Sequence, residues 1–452
     1  MADVRNFGAV GDGKHDDTEA IRHAVVEGDG LIEFPSGTYR ITETIEVPLD
    51  RGRFTAIVGS HGTSRIVMAG SGPAILLLGN HHGTADPPSV KPGIWQRERM
   101  PLVSAIEITG DHPQADGIQL VRTMQTTIER VLIRRVRHAI HLPERNRNLL
   151  LSACHLYDNS GIGVFIDRCN LHQAIITGCH ISYNRQAGIK SLAGDLHNLQ
   201  ITGNDIEYNY DDQGTGAAEI WFDATEGTAS EITIASNTIQ AKPSKEGANV
   251  RLHGRMGDNG RLSTRLVTIS GNVVGSQSTN IDVRWAERVA VTGNTIYDVH
   301  TLGIRMEDCS LVSISGNTFG WSYGPHRGMI DSIVLRRCWG GNISGAVLHA
   351  ANHGDASRGG SITLEECEDC SVSDCQILSP RWRGIYLGEC RRCRIDGNSI
   401  VDRNEPARTA AGIEVVGGAN NLVQNNMLHC PAGQSLRSSE DAAKVVNNTD
   451  VS

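Results

Sequence analysis

The sequence predicts an all-β fold, a solenoid of short coils, on three observations. The phrase I-x-G-N, or a close variant, recurs through most of the chain; each copy leads to a short strand of alternating character; and no long helical pattern separates the strands. Copies read "IITGCHI", "QITGNDI", "TIASNTI", "TISGNVV", "AVTGNTI", "SISGNTF" and "RIDGNSI". The last polar or cysteine position falls at Cys154, Cys179, Asn204, Asn237, Asn272, Asn294 and Asn317, and again at Cys375, Asn398 and Asn425. A repeat this short, rich in Asn, Gly, Val and Ile, suits stacked strands about 4.8 Å apart, in which the asparagines of successive coils satisfy one another.

Taking the elements in order, "FGAVGDGKHDDTEAI" at the N-terminus joins a glycine-rich run to a helical pattern. Asp16 stands three residues before Glu19 as a capping box, and Ala20, Ile21, Ala24 and Val25 make one apolar face, so a short helix is expected to seal the end of the solenoid. Residues 1–48 form this cap and the first coil, and 78–101 ("LGNHHGTADPPSVKPGIWQRERMP") interrupt the early coils as a loop over the groove or a subunit contact. The solenoid extends to 440, and 441–452 read as a flexible tail.

The opening segment together with "FPSGTYRIT" at Phe34 to Thr42 resembles the N-terminal signature of the pectate-lyase-like superfamily. That resemblance implies a single-stranded, right-handed parallel β-helix with a short N-terminal capping helix. The superfamily includes polygalacturonases, rhamnogalacturonan hydrolases, alginate epimerases and lyases, and phage tailspikes. The ordered N-T-D, D-D, G-H-G and R-I-K series of the polygalacturonases is absent, so their site residues are not carried over. "SYGPH" at Ser322 to His326 resembles an alginate-epimerase motif but lacks its aspartate and reads better as a Gly-Pro turn.

Composition limits the function classes. The chain has 452 residues, 39% of them hydrophobic and 4% aromatic, enough for a large core. No run of about 18 apolar residues is present to span a bilayer, and "MADVRNFGAV" lacks a secretion-signal pattern, so no membrane partner and a cytoplasmic location are expected. A formal net charge of −9 argues against a nucleic-acid partner. Eleven cysteines, an odd number spread through apolar repeats, fit a reducing compartment. Cys367, Cys370, Cys390 and Cys393 have zinc-site spacing, but their recurrence with the coil reads as small buried residues. Neither a metal, at these thiols or at His81 and His82, nor another cofactor is expected.

The strands also separate inside from outside. With Ile162, Ile189, Ile220, Val250, Ile281 and Ile304 inward, the outer face of the middle coils carries Lys190; Glu219, Trp221 and Asp223; Arg251 and His253; Asp282 and Arg284; then Arg305 and Glu307. Long loops, "YNYDDQGTG" and "LHGRMGDNGRLST", flank these coils, and "GWSYGPHRGM" and "HAANHGDASRG" flank later ones. A walled strip of charge around a Trp suits an oligo- or polysaccharide better than a merely solvated face.

Paired carboxylates suggest a glycoside hydrolase. Asp223, Glu219 and Asp282 are the ordered candidates, with His253 as proton carrier and Asp205, Asp211 and Asp212 in reserve. Trp221 offers a stacking platform, and Lys190, Arg251, Arg284, Arg305 and Glu307 further contacts. The same cations would serve β-elimination on a uronate. Fructosyl transfer, from a diffuse likeness to inulin fructotransferases, and a non-catalytic carbohydrate-binding solenoid remain as alternatives. A homo-oligomer, such as a trimer, is compatible with any of these.

Overall fold

The structure is a computed structural model that describes residues 2–51, 54–84, 86–211, 213–214, 216–320, 330 and 332–451. Asp212 and the "SYGPH" segment, Ser322 to His326, therefore lie outside the described residues. It divides into two compact units, residues 1–233 and 234–452. Both are built of right-handed parallel β-helix coils, every named pairing between strands being parallel.

Register accounts for the core. In the first unit Ile118, Ile140, Val164, Ile189 and Ile220 are successive partners, and in the second Val250, Ile281, Ile304, Ile333, Ile362 and Ile385. All eleven are fully buried. β-branched side chains at one strand position thus stack into a continuous interior column, each burial stabilising by roughly 1.5–3 kcal/mol.

The recurring G-N phrase has a physical cause at each coil's corner. Gly178, Gly203, Gly271, Gly293, Gly316 and Gly397 have φ between +61° and +69°, the left-handed conformation that turns the chain. The following residue, asparagine after all but Gly178, where it is Cys179, enters the interior. Asn237, Asn272, Asn294 and Asn317 form a ladder in which each backbone N–H and each amide Nδ2 donates to the next Oδ1 at 2.9–3.0 Å. Late in the chain the ladder residue is Asn426, one place beyond the expected Asn425, which itself takes the left-handed turn at φ +56°.

That ladder also corrects the expected tail. Asn426 donates to Asn448 Oδ1, and Ala443–Val446 pairs with Asn421–Gln424 in register, so residues past 440 add strands to the second unit. The repeat continues there with alanine, valine and asparagine, which the polar flanks "SSED" and "NNTDVS" disguise in the sequence.

The N-terminal helix spans Thr18–Glu27 with Ile21 and Ala24 buried, but the expected capping box does not form. Asp16 instead accepts from Thr18 N and Oγ1 and from Thr42 Oγ1, while Glu19 pairs with Arg22. Asp17, buried, turns back to accept from the backbone N–H groups of Val10 and Gly11. The insert folds down onto its own unit: Val90 and Ile94 are buried against Met124, with Trp95 packed beside them. All eleven cysteines are buried free thiols, and several point at interior carbonyls, as Cys367 does at Leu335 O and Cys390 at Leu364 O. Among the described residues no group of three or more His, Cys, Asp or Glu side chains is arranged to hold a metal ion, and no helix is long and apolar enough to cross a membrane.

Candidate functional site

In the second unit two outward rows run across the strands. Arg251, Asp282 and Arg305 are register partners in one; two positions further along, His253, Arg284, Glu307, Arg336 and Glu365 form the other. Alternation sends these side chains out of the coil. What each then does depends on its cross-strand neighbours.

Asp282 is the hub of the first row. Its carboxylate accepts from Arg305 Nε and Nη2 at 2.9 and 2.6 Å, from Arg284 Nε at 3.2 Å and lies 3.0 Å from His253 Nε2, with Arg251 Nε at 3.8 Å. These groups cover it until only 1% remains exposed. Burial pushes the carboxyl up, but the hydrogen bonds from His253 and Arg305 and the charge of Arg305 outweigh it and hold Asp282 well below the ordinary carboxylate range. A carboxylate so fixed and so inaccessible cannot deliver or collect a proton. It positions Arg305, which does reach open space.

That space is a cleft of about 430 Å³ over the second row, lined by Arg305, Glu307, Arg336, Thr363 and Glu365 on its floor and by residues 352–359 as a wall. Glu307 is 2.6 Å from Arg337 Nη2 and 3.9 Å from Arg336 Nη1; Glu365 is 2.6 Å from Arg336 Nη2 and accepts also from its Nε. The two carboxylates thus bracket one guanidinium from strands two coils apart, about 9–10 Å between backbones. The wall is pinned from beneath. Arg383, itself buried, donates to the carbonyls of Asp355, Ala356 and Gly359 and pairs with Glu414. On the wall, burial pushes the His353 imidazole down, against the opposite pull of Glu365 and Asp355, so the ring is neutral at neutral pH. Ser357 and Arg358 donate to the Asp355 carboxylate and lower it to about 2.

The first unit carries a different strip. Gln119, His141, Phe165, Lys190 and Trp221 are successive register partners. His141 stacks on Phe165 with ring centroids 5.3 Å apart, and Lys190 Nζ lies 3.7 Å from the Trp221 ring centroid. Asp223, two places beyond Trp221, accepts from Thr225 N and Oγ1 and so closes its own turn. Glu219 does not reach the outer face at all. It is buried at the corner where the strand begins, where its Oε1 accepts from Asn209 N at 2.9 Å and its Oε2 from Asn209 Nδ2. Burial pushes its carboxyl up to about 8 despite those hydrogen bonds. It terminates the ladder Asn159, Asn184, Asn209 and is a structural group.

Of the residues expected in one groove, Arg251, His253, Asp282, Arg284, Arg305 and Glu307 are therefore brought together in the second unit. Lys190 and Trp221 pair in the first, Asp223 serves a turn and Glu219 is interior. Asp205 and Asp211, held in reserve, take no part in the cleft; Asp205 lies 3.6 Å from His180 and Asp211 caps Gln213 N. Arg336, Glu365 and His353 escaped the sequence reading. The first two end the strands "SIVLR" and "SITLE", in the same phase as Glu307, and that phase was the available signal.

Comparison with known proteins places this geometry. A family model described as "Right handed beta helix region" matches residues 116–244 and 360–451, and one described as "Rhamnogalacturonase A/epimerase, pectate lyase-like" matches 1–87. No curated protein matches the sequence. Among solved structures, the Dettilon tailspike protein is 16% identical with a TM-score of 0.58, covering 79% of this chain and 67% of its own. Bacteriophage phi29 gene product 12 is 13% identical with a TM-score of 0.54, covering 98% and 56%. PfbA, a surface adhesin of Streptococcus pneumoniae, is 15% identical with a TM-score of 0.50, covering 98% and 93%. The chain spans 61% of the length of bacteriophage CBA120 tailspike protein 3. At these identities the likeness is one of fold. Together with the register of the strands and the two family models, it supports placing the chain in the right-handed β-helix superfamily, with no specific family.

Proposed function

We propose that this chain is an enzyme acting on a polysaccharide, that the cleft of the second unit is its site, and that it hydrolyses a glycosidic bond with Glu307 and Glu365. One observation carries the reading: two carboxylates from strands two coils apart face the same walled cleft across a single guanidinium. Inverting hydrolysis needs carboxyl groups about 6.5–9.5 Å apart, with room for a water between sugar and base. Glu365, gripped twice by Arg336, is assigned the base, since that guanidinium fixes its position at the cleft. Glu307, which faces the same cleft and pairs with Arg337 at 2.6 Å, is assigned the acid. An acidic sugar is suggested by the family model over residues 1–87, described as "Rhamnogalacturonase A/epimerase, pectate lyase-like". In the first unit the Lys190–Trp221 and His141–Phe165 stacks offer flat faces for sugar rings.

A second reading, β-elimination on a uronate, is favoured by His353. A neutral imidazole on the wall is a competent base, and Arg305, Arg336 and Arg358 would neutralise the sugar carboxylate. Incubation with neutral and uronate oligosaccharides, following reducing ends and the absorbance of unsaturated products, separates the two. New reducing ends without absorbance are expected, with Glu307→Gln and Glu365→Gln each lowering kcat by roughly 10²–10⁴-fold. Absorbance that disappears in His353→Ala would transfer the assignment to elimination. Binding without turnover would leave a carbohydrate-binding solenoid.

A further inference from the structure

Beyond the 350–354 wall, the second unit holds a larger cavity of about 790 Å³, to which the cleft's lining residues Ile330, Asn352 and Gly354 also contribute. Its remaining walls come from residues 378–382 and 403–408, and both are held by buried groups. Asp402 accepts from the backbone N–H of Asn404, Arg408 and Thr409, fixing the second wall as a closed turn. The buried Thr409 hydroxyl donates to Pro380 O, and Arg403 N donates to Ser379 Oγ, tying that turn to the first wall. The cavity is therefore shaped before any ligand arrives.

Its charge differs from the cleft's. There, Arg305 and Arg336 are committed to Asp282 and Glu365. Here Arg381, Arg403 and Arg408 line the space; among the described residues Glu405 is the one carboxylate in that lining, with Asp402 turned to the backbone behind it, and none of the three guanidiniums makes an ion pair. Trp382 adds a half-buried aromatic face, with Arg381 Cζ 5.4 Å from its ring centroid. Uncommitted guanidiniums around an indole suit a ring that carries an anionic substituent, since a fork of N–H donors matches a carboxylate or sulfate while the ring lies on the indole.

We propose that this cavity is a subsite for an anionic saccharide unit, stacked on Trp382 and held by Arg381, Arg403 and Arg408, which extends the cleft's hold on a long glycan. The inference rests on the polysaccharide reading for its ligand class but not on the identity of the catalytic pair. Calorimetric titration of the full chain with an oligogalacturonate, a sulfated galactan oligosaccharide and a neutral oligosaccharide tests it. At least one acidic probe is expected to bind, more weakly as salt is raised, with the neutral one at least about tenfold weaker. Which acidic probe wins separates carboxylate from sulfate. Arg403→Glu with Arg408→Glu, and separately Trp382→Ala, should each weaken that binding at least about tenfold, whereas Trp382→Phe retains most of it. On long acidic substrates the same changes raise KM and leave kcat unaltered. Wild-type affinity in the double variant, or no preference for acidic probes, would overturn the subsite. Turnover that survives Glu307→Gln while the arginine variant loses binding would instead remove the catalytic assignment and leave the subsite standing.

Discussion

Asp282→Asn removes the one negative charge at the centre of Arg251, His253, Arg284 and Arg305 while keeping the side chain's size. The new amide places an NH₂ against donors that the carboxylate satisfied, and leaves Arg251, 7% exposed, without its nearest counter-charge. Removing one partner of a buried pair costs about 3–5 kcal/mol; because Arg305 and Arg284 retain 27% and 36% of their exposure, the lower end, about 3 kcal/mol, applies here. The sign with pH follows from the depressed carboxyl. Its contribution is complete above the unfolded value near 3.9 and shrinks by about 1.4 kcal/mol for each pH step below it. Urea unfolding of wild type and variant, followed by circular dichroism and by hydrogen exchange in residues 248–253, 279–284 and 302–307, should therefore show a wide gap at pH 7 that narrows from pH 4 to pH 2. Adding Arg305→Gln should recover part of the loss, by roughly 0.5–3 kcal/mol of coupling. A variant as stable as wild type at pH 7, or a gap indifferent to pH, would refute the picture of Asp282 as a buried counter-ion.

Three further outcomes are expected. Glu219, whose buried carboxyl is raised to about 8, favours its protonated form in the folded state; wild type should lose stability as pH rises from about 4.5 to 8, and Glu219→Gln should not. The two should match near pH 4 and separate by roughly 2–5 kcal/mol at pH 9 in thermal or urea unfolding. Asn294→Ala leaves Asn272 N and Nδ2 without their acceptor and should cost about 3 kcal/mol, read from the urea midpoint. Trp221→Ala should weaken oligosaccharide binding by about fivefold or more in calorimetric titration; unchanged affinity would remove the first-unit strip as a binding surface.

The fold was legible because its two determinants are local. A left-handed corner demands glycine or a tolerant substitute, and the next position most often holds a side chain able to donate and accept, so both write themselves into many coils as G-N or a close variant. Burial near the strand's start was not legible. Simple alternation puts Glu219 outside, but the corner turns that position inward: at its partner Gly188 an added Cβ would stand 2.9 Å from Asn209 Nδ2. Asp282 shows the other failure. Its direction was read correctly, yet its burial is imposed by long side chains from the coils on either side, which no single repeat contains. The paired aspartates at the N-terminus divide similarly, Asp17 being drawn inward to the loop amides of Val10 and Gly11.

Stacking at about 4.8 Å also bears on how charge marks a site in this fold. Like charges in adjacent coils repel, so an outward row must alternate in sign or be neutral. Arg251, Asp282 and Arg305 alternate, and so do Arg284, Glu307, Arg336 and Glu365. Alternation alone is thus what the solenoid requires for its own stability and is no sign of function. Function is better sought where a loop walls such a row, as residues 352–359 do, and where cations gather that make no ion pair among the described residues, as Arg381, Arg403 and Arg408 do. Those arginines lie in loops outside the paired strands, so no cross-strand pairing requires them. Three arginines against one carboxylate in the lining make the cavity beside Trp382 a sharper indicator of an acidic ligand than the richer, charge-balanced cluster around Asp282.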